Sequence, residues 1–323
     1  MFSILKFEEI TGALWQDCFE FYRQISEESY PHREFSHGLS SARNLTVSEA
    51  FAMGLDGFFI ISSGKIQAAC HYRYDHDRNL VVSEVKFLRS TFNPTIAEYM
   101  ENKLVELCRN NLNASLQMVV ENEEVHSFYR SNGKFHKVGE VVESVLELAN
   151  LNQAILNSWL IKDAAFEVRS VQWSDPKELR SFVTVFNETG KDVPFQDAEG
   201  IVKNRSLEYF MERAEKSANR NRIWLRYGLF MHKQLVGIIL FEGQLDSPRT
   251  LYIEATGIQR EYRGRGLGKF LKAASTIDLS RKFPSLRYLA TGNEESNAPM
   301  LRINRSMGFI PRSFFTMLRY RFE

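Results

Sequence analysis

Residues 259–272 read QREYRGRGLGKFLK. Gly264, Gly266 and Gly268 sit beside Arg263 and Arg265, and a lysine-bearing amphipathic run follows. The chemistry these residue types serve is anion binding. Glycines allow a sharp turn and let the backbone come close to a ligand. Successive N–H groups at a helix start, aided by the helix dipole, hold phosphate oxygens. Arg260, Arg263, Arg265, Lys269 and Lys272 add positive charge nearby. Two familiar phosphate loops fail on spacing. A P-loop needs Ser or Thr after Gly-Lys, and Phe270 follows Gly268-Lys269. A dinucleotide fingerprint needs its third glycine at position 269 or 271, where Lys269 and Leu271 stand. What remains is R-x-x-G-x-G over Arg263–Gly268. The run TLYIEATGI before it reads as a strand, and Leu267, Phe270, Leu271, Ala274 and Ile277 follow at helical spacing. The plainer alternative is a glycine-rich surface loop with solvated charges.

A second stretch, TGNEESNAPMLRINRSMGFIP at 291–311, follows another short strand, LRYLA. Together the two stretches resemble the GCN5-related N-acetyltransferase (GNAT) superfamily. The wording is similar to the tandem GNAT proteins that include mycothiol synthase. The resemblance implies that Arg263, Gly264, Arg265, Gly266, Leu267 and Gly268 hold the pyrophosphate of acetyl-CoA. It implies that Asn293, Asn297, Met300, Asn304 and Gly308-Phe309 frame a helix beside the pantetheine arm. It also places the acyl group against the backbone of Thr256, Gly257 and Ile258.

Acetyl transfer to an amine requires a base, a polarised carbonyl and a proton for the departing thiolate. Glu254 is the one carboxylate in TLYIEATGI, and strand alternation puts it on the face of Thr256. Burial in an apolar strand would raise its pKa toward neutrality and suit it as the base. An ion pair with a nearby arginine is the alternative role, and Glu242 is a second candidate base. The superfamily's usual acid, a tyrosine in the last helix, is replaced by Asn304, so the thiolate's proton must come from water or from Tyr252. The three cysteines, Cys18, Cys70 and Cys108, all lie in the first half. The motif-bearing half therefore has no thiol for an acyl-enzyme, and its one histidine, His232, leaves no Ser-His or Cys-His relay. The run CHYRYDHDRN gathers His71, Asp75, His76 and Asp77, which reads as the polar tip of a hairpin rather than a metal site. In NETGKDVPFQDAEG, the acids Glu188, Asp192, Asp197 and Glu199 could meet an ammonium group or be solvated.

The elements that position these groups repeat along the chain. The second half reads strand, two helices, three strands, helix, strand, helix, strand, the order the GNAT resemblance implies. The first half reads as a worn copy. Asn122, Tyr129 and Gly133 keep GNAT-like spacing, but the turn LRSTFNPT has no glycine, and Pro94 lacks a donor. The expected fold class is α/β: two tandem GNAT-like domains, each a mixed, mostly antiparallel twisted sheet flanked by helices. The expected boundaries are a degenerate domain at 1–150, a connecting segment at 151–165 and a domain with the intact acetyl-CoA motif at 166–323. The 323 residues suffice for two domains. A net charge of +1 argues against nucleic acid as a partner, and no apolar run approaches a membrane span. No secretory signal pattern opens the chain, and an odd number of widely spaced cysteines fits a reducing cytoplasm. The resulting expectation is a cytoplasmic N-acyltransferase that moves acetyl from acetyl-CoA to the primary amine of a small molecule by direct attack, with no metal. Two alternatives stay open: a non-catalytic CoA-binding regulatory protein on the same frame, and a Fem-like peptidyl transferase. Oligomeric state is not legible.

Overall fold

The computed structural model describes residues 2–10, 14–29, 56–76, 78–111, 114–193, 204–219, 222–245 and 248–322. The chain divides into one unit of residues 1–141 with 313–323 and another of residues 142–312.

The first unit contains β1 (Phe2–Lys6), α1 (Leu14–Ser29), β2 (Asp56–Ser62), β3 (Lys65–Asp75), β4 (Leu80–Phe87), α2 (Pro94–Asn111), β5 (Ser115–Val120), α3 (Glu123–Ser131) and the start of β6 (Phe135–Glu147). Its sheet runs β1-β2-β3-β4-β5 and is completed by the end of β12 (Ile310–Tyr320), which pairs antiparallel with β5 from Thr316↔Val120 to Arg319↔Gln117. The terminal strand thus belongs with the first unit, although chain order alone assigns it to residues 166–323. Its Leu318 is fully buried beside Met100, Leu104, Met118 and Tyr129.

The second unit contains the end of β6, α4 (Gln153–Trp159), β7 (Phe166–Ser170), α5 (Pro176–Gly190), α6 (Leu207–Asn219), β8 (Arg222–Met231), β9 (Gln234–Gln244), β10 (Thr250–Ile258), α7 (Leu267–Lys282), β11 (Tyr288–Glu294) and α8 (Ala298–Met307). Its strands run β7-β8-β9-β10-β11-β6. The expected connecting segment at 151–165 carries α4, whose Leu156 is fully buried in this unit's core. Both sheets are mixed and mostly antiparallel, with helices flanking them, as the sequence predicts. No described helix is long and apolar enough to cross a membrane.

Local chemistry explains the elements that hold the site. Asp175 caps α5 by accepting from the N–H groups of Lys177 and Glu178, and Pro176 fits the first turn because that position needs no donor. On one face of the sheet, Phe182 and Val185 of α5 pack with Phe210 of α6, Trp224 and Leu240. On the other, Phe270 and Leu271 of α7 pack with Phe241, Ile253 and Leu289. A strand covered on both faces needs apolar side chains in both registers, and LVGIILF in β9 supplies them.

The two units differ at their parallel strand pair. In the first, β4 and β5 pair continuously from Leu80↔Ser115 to Val85↔Val120. In the second, β10 and β11 pair only from Thr250↔Tyr288 to Ile253↔Thr291. There the register of β10 against β9 also slips between Ile253 and Ala255, so Glu254 is the extra residue of a β-bulge. Beyond the bulge, β10 keeps its partner β9 and is released from β11.

If β12 supplies part of the first core, Leu318→Ala should cost about 2–5 kcal/mol of stability, because the residue is fully buried. Hydrogen exchange followed by peptide should rise most in α2 and β5. Unchanged protection there would remove β12 from that core.

Candidate active site

The strand β10 ends at Ile258, and the chain turns through Arg260–Tyr262 into α7. Gly264 and Gly266 take φ of +77° and +76°, the left-handed region that an L side chain enters only with strain. Gly266 is the N-cap of α7, and its carbonyl accepts from Lys269 N at 3.0 Å and Phe270 N at 3.1 Å. The N–H groups of Gly264, Arg265, Gly266, Leu267 and Gly268 have no acceptor among the described residues. Unpaired donors at a helix start form an anion site.

These residues open on a cavity of about 530 Å³. Of the residues expected to bind the donor, Thr256, Gly257, Ile258, Arg263, Gly264, Gly266, Leu267, Gly268 and Asn297 line it. Asn297 caps α8 by accepting from Met300 N at 3.3 Å, and Met300 and Ile303 present the apolar side of that helix. Gly268 is placed for close approach: a Cβ there would lie 3.6 Å from Ile303 and 3.9 Å from Ile258, on the cavity wall. Thr189, which the sequence does not single out, also lines the cavity from the end of α5. Gly257 makes room for it, since a Cβ at position 257 would fall 2.3 Å from the Thr189 hydroxyl.

Several charges are not where the sequence puts them. Arg263 donates from Nε to the Ile258 carbonyl at 2.8 Å and from Nη2 to Asp192 at 2.7 Å. Arg260 also pairs with Asp192, and these two hydrogen bonds hold the Asp192 carboxyl below its ordinary pKa. The pair ties the end of α5 to the turn, and Asp192 also lines the cavity. Glu188 likewise accepts from Gln259 at 2.7 Å. Asp197 and Glu199 lie outside the described residues. Arg265 is not on the cavity wall; it reaches back to the Glu261 carbonyl at 3.4 Å.

Asn304 is not on the wall either. It is 1% exposed, accepts from Lys272 Nζ at 2.7 Å and donates to Asn293 Oδ1 at 2.7 Å. Lys272 is therefore an interior lysine rather than part of the anion site. Burial lowers its pKa to about 7.

Glu254 also departs from simple alternation. The bulge puts it on the same face as Ala255, which packs with Phe210 and Trp224. Thr256, in register with Ile239 of the opposite core, falls on the other face. Glu254 accepts from Arg213 of α6 at 2.6 Å, and Glu242 lies 3.3 Å from the same nitrogen. The pair-with-arginine role is thus present, and Glu254 is not on the cavity wall. Burial and the neighbouring Glu242 still raise its pKa to about 7, against the pull of Arg213. Glu242 moves the other way: against its burial, a hydrogen bond from Glu254 and then the charges of Arg222 and Arg213 hold it down, so the two carboxyls titrate as a pair with the proton on Glu254. Tyr252 stands in register with Glu242.

In the first unit, the N–H groups at the start of α2 are met within the turn itself. Asn93 accepts Thr95 N on its side chain at 2.8 Å, and Ile96 N and Ala97 N on its carbonyl. Arg89 N donates to Glu28, and Pro94 has no N–H. Tyr129 is fully buried and donates to the Ala97 carbonyl at 2.9 Å. All three cysteines are buried; burial raises the Cys18 pKa to about 12 and the Cys108 pKa to about 11. Among the described residues no three His, Cys, Asp or Glu side chains group as metal ligands. Asp77 of the hairpin tip lies outside them.

Residues 186–309 match the model of the acetyltransferase (GNAT) family, so the second unit carries a GNAT domain. The whole chain shares its fold with solved tandem GNAT proteins. A tandem GNAT protein from the clavulanic acid biosynthesis pathway, solved without acetyl-CoA, superposes with TM-score 0.73 at 16% identity, over 99% of this chain and 98% of that one. A GCN5-related N-acetyltransferase from Sphaerobacter thermophilus gives 0.70 at 12% identity, over 98% and 95%. A GNAT-family acetyltransferase from Colwellia psychrerythraea gives 0.56 at 10% identity, over 99% and 100%. No curated protein matches the sequence significantly.

The raised pKa of Glu254 has a thermodynamic signature. Between pH 4.5 and about 7 the folded chain holds a proton that the unfolded chain has released. This contribution to stability is full below 4.5 and is lost as pH rises through about 7. Urea midpoints of Glu254→Gln should fall less than those of the wild type over that window. An identical pH dependence would show that Glu254 titrates normally.

Proposed function

We propose that the second unit is an acetyl-CoA-dependent N-acyltransferase acting on the primary amine of a small molecule. The observation that carries this reading is the run of unpaired N–H groups from Gly264 to Gly268, opening on a cavity beside a strand freed from its neighbour. Those donors suit the pyrophosphate of CoA. Gly257, Ile258, Met300 and Ile303 offer a slot of backbone and apolar side chains for a pantetheine arm. The donor supplies an activated acetyl group, and its transfer to an amine leaves free CoA. The buried thiols all belong to the first unit, which supports transfer without an acyl-enzyme.

Glu254 is the base in this reading. A carboxyl with a pKa of about 7 can take a proton from an ammonium group near neutral pH and is not quenched as a strong anion. Arg213 fixes its position. Thr189 and Gly257 hold α5 close against β10 and so set the width of the slot.

Donor binding is expected at one tight site per chain, because in the first unit the N–H groups at the start of α2 are met by Asn93 and Pro94 has none. Gly268→Val should weaken acetyl-CoA binding at least tenfold in calorimetric titration while leaving the melting temperature near that of the wild type, since its added methyls enter the cavity rather than the core. Gly266→Val should lose binding and stability together, because its φ of +76° strains any side chain. Two equal sites, or full affinity in Gly268→Val, would overturn the donor assignment.

Turnover is tested by thiol release with an amine panel. Glu254→Gln should reduce kcat by roughly 10²–10⁴-fold, with donor affinity unchanged. Near-normal turnover would confine Glu254 to its ion pair with Arg213.

A further inference from the structure

The face of the sheet that carries Glu254 also carries a cation with no counterion among the described residues. Arg226 lies two residues from Trp224 along β8, so both point to the α5–α6 face. Its guanidinium carbon sits 3.8 Å from the ring centroid of Trp173 and 5.7 Å from that of Trp224. Its Nε and Nη1 atoms are buried and have no hydrogen-bond partner among the described residues. The indole Nε1 of Trp224 is buried and equally unpartnered there, in a residue only 6% exposed. Every one of these groups is a donor. Buried donors left unmade are costly, and a lone desolvated guanidinium more so.

The contrast with Arg213 is direct. Arg213 lies 4.7 Å from the centroid of the same Trp224 ring, and its charge is met by Glu254 and Glu242. One indole therefore has a neutralised arginine beside it that holds the candidate base, and a second arginine that no described residue neutralises. Phe210 stacks on the indole at 5.7 Å, so a ligand would run past its Nε1 edge, presenting an amine to Glu254 at one end and an oxyanion to Arg226 at the other. One guanidinium and one indole N–H suit the single charge and the two oxygens of a carboxylate better than the double charge of a phosphate.

We infer that the acceptor is an amine bearing a carboxylate, of the amino-acid class, and that Arg226 with the Trp224 N–H is its carboxylate subsite. The inference rests on the proposed function. Arg226 then acts as a specificity residue, distinct from the donor cradle and from the base.

The test compares linear ω-amino carboxylates of three to seven carbons, and L-α-amino acids, with their carboxamides. Binding is read first, by tryptophan fluorescence and calorimetry, so that it does not depend on turnover. At least one carboxylate should bind about 10–100-fold more tightly than its amide, the range of a charge-assisted hydrogen bond pair. Arg226→Met should erase that preference, leave acetyl-CoA affinity unchanged, and keep or raise the melting temperature, because it removes an unpaired cation while retaining the stack. Arg226→Lys should retain part of the preference and so show that the site itself is intact. If no carboxylate binds better than its amide, or if the preference survives in Arg226→Met, the subsite is refuted. CoA release is a separate readout: a carboxylate preference in binding with no CoA release for any amine would sink the transferase reading and leave the anion subsite standing. CoA release indifferent to the carboxylate would do the reverse.

Discussion

The release of β10 from β11 after Ile253↔Thr291 is the constraint on which the site depends. A parallel pair that continues, as β4 and β5 do to Val85↔Val120, consumes the backbone groups facing the gap and leaves no space. A pair that stops leaves a strand edge and an opening. The bulge at Glu254 sits where pairing ends, and bulges add twist and turn a strand away from its neighbour. The same irregularity sends Glu254 toward α6 and Thr256 toward the other face. A single added residue thus separates the face that carries Glu254 from the wall that carries Thr256 and the glycine turn.

The second determinant is the accounting of helix-start donors. Both units begin a helix after the strand in question, and each start leaves N–H groups that need acceptors. Asn93 and Glu28 meet that need within the first unit, at no conformational strain. In the second unit, Gly264 and Gly266 take the left-handed conformation and leave the row open. Glycine takes that conformation without strain, and the open N–H groups are free to exchange water for an anionic ligand, whose binding would stabilise the folded chain.

Legibility in the sequence depends on whether a feature is local. The R-x-x-G-x-G turn between a strand and a helix depends on neighbours in sequence, and it is found where the spacing puts it. Chain order misassigns the terminal strand, because its partner β5 lies far away in sequence. Alternation has no signal for one extra residue, so the bulge is illegible, and Glu254 and Thr256 read as sharing one face. Thr189 has a faint signal in Gly257, a glycine inside a β-rich run that marks close approach of another chain segment. Arg226 carries no signal at all, since an arginine on a strand is ordinary until its missing partners are seen.

The charges near the turn show why counting residues overstates an electrostatic site. Five cations cluster between positions 260 and 272. Arg260 and Arg263 are held by Asp192, Arg265 bends back to a carbonyl, Lys269 lies 5.2 Å from the Trp159 ring, and Lys272 is interior. Arg263 and Lys269 still line the cavity, so the candidate anion site combines the unpaired backbone N–H groups with these two cations, while Arg260, Arg265 and Lys272 stand off its wall. Lys272 makes the point most sharply. With a pKa of about 7 it carries a partial charge at neutral pH, and its amide partner Asn304 replaces the phenol expected in that helix. The lysine and the asparagine form a buried donor–acceptor pair that fills the helix–helix contact, and Asn304 in turn donates to Asn293 at the end of β11.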